Sequence, residues 1–278
     1  MYDLNGSVAI VTGAGRPEGI GKAIAKRLAE EGAHVAIADL GEETGDRFSE
    51  EHIGTTAEMK AVAQEIRSDT NAEVLPVPCD VRKDEDVNRL VERTVEEWGR
   101  LDVLVNNAGV GYIMKQLTEL SFDDWNTVLD VNLRGPFLGT KYAARQMIDQ
   151  GEGGRIINIA SQAAKTAVPY AGAYVSSKHG LVGLTRTAAM ELGEHDITVN
   201  AVCPNHITTE LGDWQNEFFS EKMGQSYQDY LQDIRDRVPL GRVGRVEDIA
   251  KMCAFLASDE ASYVSGEALN VSGGEEMH

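Results

Sequence analysis

Short, nearly unbroken apolar runs alternate along this chain with longer stretches in which apolar positions recur every three or four residues. The short runs Val8–Thr12, 33–38, 101–105, 155–160 and Ala268–Val271 read as strands buried on both faces. The longer stretches read as amphipathic helices, and the one after the first strand carries Ile20, Ala23, Ile24 and Leu28 on its inner face. The alternation continues to Val271 with no linker, repeat or low-complexity tract. It predicts an α/β fold, a Rossmann-like doubly wound parallel sheet with helices on both faces, as a single domain over 1–278.

Two stretches break the pattern. Residues 40–56, rich in Gly, Glu and Thr, exceed an ordinary strand-to-helix connection before a helix over 57–67. Past Pro204 periodicity fades until Arg245, in a span holding Trp214, Phe218, Phe219, Met223, Tyr227 and Tyr230. Long irregular connections often form lids or binding loops, so about 205–245 reads as a lid-like substrate segment. Its aromatics either line a pocket or pack two short helices against the body.

Charge narrows the partners. The 278 residues carry 26 Lys and Arg against 45 Asp and Glu, a net charge of −19. That balance argues against nucleic acid and anionic membranes, which draw on clustered cations, and disfavours an acidic acyl carrier as substrate donor. No signal peptide or membrane-spanning run is visible, which points to the cytoplasm and no membrane partner. Cys79, Cys203 and Cys253 sit in apolar segments without metal-ligand spacing, so buried thiols in a reducing compartment and no metal are expected.

Candidate chemistry lies in two places. After the first strand comes Gly13-Ala14-Gly15-Arg16-Pro17-Glu18-Gly19-Ile20-Gly21, a glycine loop running into a helix. Glycines let backbone approach a pyrophosphate, whose charge suits the unsatisfied N–H groups of a helix start. The second strand ends in Asp39, eighteen residues past Gly21, where an acid suits ribose hydroxyls. Further on, Ser161 closes a buried strand, and Tyr174 and Lys178 follow at i, i+4 spacing on one helix face. A neighbouring ammonium favours the phenolate, tuning the tyrosine toward proton exchange near neutral pH.

With these pieces in place the chain resembles the short-chain dehydrogenase/reductase family from about Asn5 to Gly274. The resemblance rests on the loop from Thr12 to Gly21, Cys79-Asp80-Val81, Asn106-Asn107-Ala108-Gly109, Asn132, Ser161, Tyr174, Lys178 and the loop 204–209. It implies a nicotinamide cofactor, a small-molecule substrate and a homotetramer. It implies catalytic roles for four residues: Tyr174 as acid–base, Lys178 beside it and on the nicotinamide ribose, Ser161 on the substrate oxygen, and Asn132 holding a water against the lysine. It implies cofactor contacts from Gly13, Gly15, Arg16, Gly19, Ile20, Gly21, Asp39, Asp80, Val81, Asn107, Ala108, Gly109, Tyr174, Lys178, Pro204, Ile207 and Thr209, with Asp80 at the adenine amino group and Asn106 near its ribose.

The chain departs from the family pattern twice. Five residues, 14–18, separate Gly13 from Gly19 where three are usual, creating a bulge at Arg16-Pro17-Glu18. Pro204-Asn205 stands where Pro-Gly is usual, so Asn205 either adopts a left-handed turn or sends its side chain into the site. Family branches that hold NAD tightly carry an insertion near 40–56. The reading is an NAD-dependent oxidoreductase of secondary alcohols and ketones, such as a polyol, sugar or cyclic alcohol. Alternatives are a 3-oxoacyl thioester reductase using NADPH, which Asp39 disfavours, and a non-catalytic nucleotide-sensing scaffold.

Overall fold

The computed structural model describes residues 2–42, 53–111, 113–207 and 209–277. Strands β1 (Val8–Thr12), β2 (His34–Asp39), β3 (Val74–Pro78), β4 (Val103–Asn106), β5 (Gly154–Ile159), β6 (Ile197–Pro204) and β7 (Ala268–Val271) form one parallel sheet ordered 3-2-1-4-5-6-7. The chain builds outward from β1 to β3, then returns to β4 on the other side of β1. The loops leaving β1 and β4 therefore run in opposite directions and open a crevice at the carboxyl edge.

The helices are α1 (Ile20–Glu30), α2 (Thr56–Asp69), α3 (Asp84–Trp98), α4 (Phe122–Leu129), α5 (Gly135–Gln150), α6 (Gly172–Leu192), α7 (Glu210–Met223), α8 (Tyr227–Arg237) and α9 (Val246–Ala257). Successive strand residues point to opposite faces. Ala9 and Val11 join α1, α2 and α9 in one core layer, while Ile10 between them joins α3, α5 and α6 in the other. Both faces are covered, which is why these strands read as continuous apolar runs. Cys253, Cys79 and Cys203 are buried free thiols, lying respectively in the first layer, the second, and a small cluster between β6 and α6. Among the described residues no helix is long and apolar enough to cross a membrane.

The two irregular stretches resolve differently. Much of the long connection, residues 43–52, lies outside the described residues, and so does the insertion expected there. Its ends are clasped: Gly41 N donates to Gly54 O at 3.0 Å, and Thr56 N donates to Gly41 O at 2.7 Å. Helix α2 then starts on a capping box in which Thr55 and Glu58 satisfy each other's backbone N–H. Beyond Pro204 the chain forms α7 and α8, joined by an aromatic contact between Phe219 and Tyr230 at 6.4 Å, with Phe218 edge-on to Phe219 at 5.6 Å within α7.

A buried polar chain ties the centre together. Asn106 Nδ2 donates to Asn158 Oδ1 at 2.9 Å, and Asn158 Nδ2 donates to Thr185 Oγ1 at 2.9 Å, joining β4, β5 and α6. Truncating Asn158 strands a buried amide that water cannot reach, and each such orphan costs about 1–3 kcal/mol. Asn158→Ala is therefore expected to lower unfolding free energy by roughly that amount at an unchanged denaturant slope. Urea unfolding with no shift in midpoint would show the tie to be dispensable.

Candidate active site

The crevice begins with a close backbone approach. Gly13 has a φ of 65°, and a Cβ there would lie 2.7 Å from Ala108 Cα. A Cβ on Gly21 would lie 2.2 Å from Gly13 O and 2.6 Å from Asn107 Nδ2. Asn107 locks the two loops together, donating from Nδ2 to Thr12 O at 2.8 Å and Gly13 O at 2.9 Å. Thr12 Oγ1 accepts in return from Asn107 N at 3.1 Å and Ala108 N at 3.0 Å. Helix α1 starts with no side-chain cap and no acid in its first turn, so its N–H groups stay open to an anion.

Gly13, Arg16, Gly19, Ile20, Gly21, Asp39, Asp80, Val81, Asn107, Ala108 and Gly109 all line this crevice, a cavity of about 390 Å³. Gly15 does not. Its N–H donates instead to Asp39 Oδ2 at 3.0 Å, while Leu40 N and Gly54 N reach Oδ1 at 2.9 and 3.0 Å. Gly15, ahead of the bulge, thus helps to hold the acid. Burial raises the Asp39 pKa, and these three N–H donors oppose the rise. Asp80 accepts from Arg82 Nε and Nη2, both at 2.8 Å, and caps no helix. Burial works against its ionisation, yet the Arg82 guanidinium holds it below the usual carboxylate range. Arg82 itself lines the crevice and carries no motif that would mark it in sequence. Asn106, expected near the adenine ribose, turns inward to the polar chain of the core, because β4 directs it away from the crevice.

A second cavity of about 680 Å³ adjoins the first, sharing Ile20, Asn107, Gly109, Val110 and Thr209. Ser161, Tyr174, Lys178, Pro204 and Ile207 line it. Ser161 lies just past the end of β5 in extended conformation and caps a short turn, its Oγ accepting from Ala163 N at 3.1 Å. Its hydroxyl also hydrogen-bonds Tyr174. Lys178 departs from expectation. Its Nζ donates to Ile159 O at 2.8 Å and lies 5.6 Å from the Tyr174 ring centre, so its charge is aimed at the end of β5. Burial accordingly pushes the Tyr174 pKa up, and the Ser161 hydrogen bond is what opposes this. Burial pushes Lys178 down to about 8.

Asn132, expected to hold a water against the lysine, is anchored on protein groups. It sits in a single π turn, Asp130–Arg134, fully buried. Its Oδ1 accepts from Val110 N at 2.9 Å, and its Nδ2 donates to Val110 O at 3.1 Å and Ser177 Oγ at 3.3 Å. The side chain is committed to a loop and to α6, with none of its bonds to the lysine. π turns of this kind often mark functional sites.

The lining also brings in Arg237 and Glu275, which sequence reasoning missed. Asn205 is not left-handed, and its Nδ2 donates to Glu275 Oε2. Arg237 Nε lies 3.3 Å from the other oxygen of Glu275. Burial raises the Glu275 pKa, Arg237 opposing it, while burial and the Arg237 charge push His206 down to about 4. His206 is thus a neutral ring in the cavity wall. Of the aromatics, Phe219, Tyr227 and Tyr230 line the cavity, whereas Trp214 and Phe218 pack on their neighbours. Gln162, next to Ser161, also lines it.

The comparisons agree with this geometry. A family model described as enoyl-(acyl carrier protein) reductase matches residues 13–276. A short-chain dehydrogenase/reductase of Armillaria gallica is 39% identical over 269 residues, covering 97% of this chain and 95% of that protein. Among solved structures, carveol dehydrogenase from Mycobacterium avium in complex with NAD aligns with a TM-score of 0.90 at 31% identity, covering 99% of each chain. NAD+-bound xylitol dehydrogenase aligns with a TM-score of 0.87 at 33% identity, covering 98% of this chain and 99% of that one.

The buried lysine has a measurable cost. Its pKa is about 8 in the fold, against 10.5 ordinarily. The unfolded chain therefore binds the extra proton between those values, and the charge opposes folding most fully below pH 8. Lys178→Met is expected to raise unfolding free energy at pH 7 by up to about 3 kcal/mol. The difference from the parent should shrink as pH rises from 8 toward 10.5. Denaturation midpoints of both proteins across that range check it, and a pH-independent difference would contradict it.

Proposed function

The chain belongs to the short-chain dehydrogenase/reductase family and is an oxidoreductase of CH–OH groups, and we propose that it uses NAD to interconvert a small secondary alcohol and its ketone. The observation that carries this reading is the convergence of Ser161, Tyr174 and Lys178 on a cavity that opens directly into the glycine-lined crevice. The crevice fits a dinucleotide. Its loops leave no space for a Cβ at Gly13 or Gly21, α1 offers uncapped N–H groups, and a carboxylate closes the far end.

A bound nicotinamide would supply the hydride chemistry at the substrate carbon. The protein's own residues do the rest. Ser161 hydrogen-bonds the substrate oxygen and, already bonded to Tyr174, aligns it with the phenol. Tyr174 takes the alcohol proton in oxidation and returns it in reduction. Lys178, anchored on Ile159 O, would hold the nicotinamide ribose. Asn132 is a positioning residue, fixing Val110 against the cavity and bracing α6 through Ser177. Helices α7 and α8 cover the substrate. Assembly into a homotetramer belongs to the same proposal and is supported by exposed Phe122 and Phe137 along α4 and α5.

The choice of NAD rests on Asp39. Its carboxylate accepts hydrogen bonds from ribose hydroxyls and repels a 2′-phosphate, and the two solved relatives named above hold NAD. Catalytic efficiency with NAD is expected to exceed that with NADP at least tenfold, about 1.4 kcal/mol of discrimination. Equal efficiency would mean that Arg16 and Arg82, in the same crevice, outweigh the carboxylate.

Tyr174→Phe keeps the ring and deletes the oxygen that carries the proton. Turnover over a panel of secondary alcohols should fall about 10²–10⁴-fold, with NAD affinity retained. A variant keeping a tenth of the parent rate would move the acid–base role to another residue. No turnover of any alcohol by the parent, with NAD or NADP, would overturn the oxidoreductase reading itself.

A further inference from the structure

Gln162 is the anomaly of the substrate cavity. It is 5% exposed, yet neither its Nε2 nor its Oε1 has a hydrogen-bond partner among the described residues. Buried polar groups in folded proteins are nearly always satisfied, and leaving one unsatisfied is expensive. The neighbours show how unusual this is. Asn106, Asn132 and Asn158 are equally buried amides and all are bonded. The backbone gives Gln162 little freedom to escape, since its carbonyl accepts from Lys165 N at 2.9 Å within the short turn Gln162–Ala164 that Ser161 caps.

Its position explains the anomaly. Gln162 lines the same cavity as Ser161 and Tyr174 and follows Ser161 directly in the chain. A carboxamide presents a donor and an acceptor side by side. A ketone, ether or carboxylate on the substrate would satisfy only the donor, and an alkyl group neither. A hydroxyl both accepts and donates, so a hydroxyl next to the reacting carbinol, or that hydroxyl with its neighbour, satisfies the whole amide. The same lining is polar elsewhere as well, including His206, Asn216 and Glu275.

Resting on the proposed dehydrogenase reading and deepening it, we infer that Gln162 is a substrate-binding residue that selects secondary alcohols carrying a hydroxyl on the adjoining carbon. The selection works by penalty. A site built to hydrogen-bond a hydroxyl rejects the analogue lacking it, because the buried amide is left unpaired in the complex.

The test compares matched substrates on two proteins. Parent and Gln162→Met, which keeps length and removes the amide, are assayed with NAD on cyclohexane-1,2-diol and cyclohexanol, and on butane-2,3-diol and butan-2-ol. The parent should favour each diol at least tenfold in kcat/KM. Gln162→Met should lose that preference from both sides, losing diol activity and gaining activity on the mono-alcohols as the unpaired amide is removed, and should melt no lower than the parent. Cyclohexanol or butan-2-ol turnover in both proteins confirms the dehydrogenase reading independently of the ratio. A parent ratio near one, or a ratio unchanged in a folded Gln162→Met, overturns the inference while leaving that reading intact. Where none of the four alcohols reacts, calorimetric titration of butane-2,3-diol into NADH-saturated protein carries the comparison. Binding at least tenfold weaker in Gln162→Met supports the assignment, and equal binding, or none to the parent, overturns it. Should Gln162→Met not fold, Gln162→Leu takes its place, and the parent's own ratio remains decisive against the inference if it is near one.

Discussion

At the carboxyl ends of β1 and β4 two backbone segments approach so closely that a single added carbon at Gly21 would sit 2.2 Å from a carbonyl oxygen. The approach leaves the α1 start bare toward the crevice, and the Asn107 amide and Thr12 hydroxyl pin it from both sides. The substrate cavity inherits this geometry, because Asn107, Gly109 and Val110 continue from the pinned loop into its wall. The distance between a dinucleotide and the reacting groups is therefore set by main-chain packing, which is stiff, and not by long side chains, which are not.

A second framework holds the chemical groups. The π turn at Asp130–Arg134 pushes Asn132 into the interior, where its amide spans Val110 and Ser177. Ser177 in turn donates to Tyr174 O at 2.7 Å, so the loop after β4, the π turn and the residue bearing the phenol form one hydrogen-bonded unit. A distorted helix and several buried amides are individually unfavourable, and here they sit around the residues on which the chemistry is proposed to depend.

The fold was legible because parallel strands covered on both faces leave an unmistakable apolar signature, and because glycine where nothing else fits is visible as glycine. Ser161, Tyr174 and Lys178 could be found by spacing, and the structure brings them into one cavity. What spacing could not reveal was orientation. The i, i+4 rule brings Lys178 alongside the tyrosine, but a carbonyl on β5, nineteen residues earlier, decides where the ammonium points. The N–H of Gly15 turns to Asp39 for a related reason: that partner lies on another strand, and a bulged loop can face either way. Asn205 meets Glu275, seventy residues on, and the Gln162 side-chain amide finds no hydrogen-bond partner among the described residues. Neither leaves a periodic trace in the sequence. The long connection ends in Gly54, whose N–H reaches Asp39, a contact that no local pattern announces.

The three thiols give the molecule an internal set of reporters. Cys253, Cys79 and Cys203 are divided among the three separate parts of the core, one in each. Burial raises all three pKa values, Cys79 to about 12, so in the closed molecule none offers a reactive thiolate near neutral pH. Alkylation must then wait for the surrounding layer to open. Following the mass of each cysteine-bearing peptide during labelling would time the opening of each layer separately, with no introduced probe. The apolar siting of these residues turns the protein into its own map of where the structure loosens first.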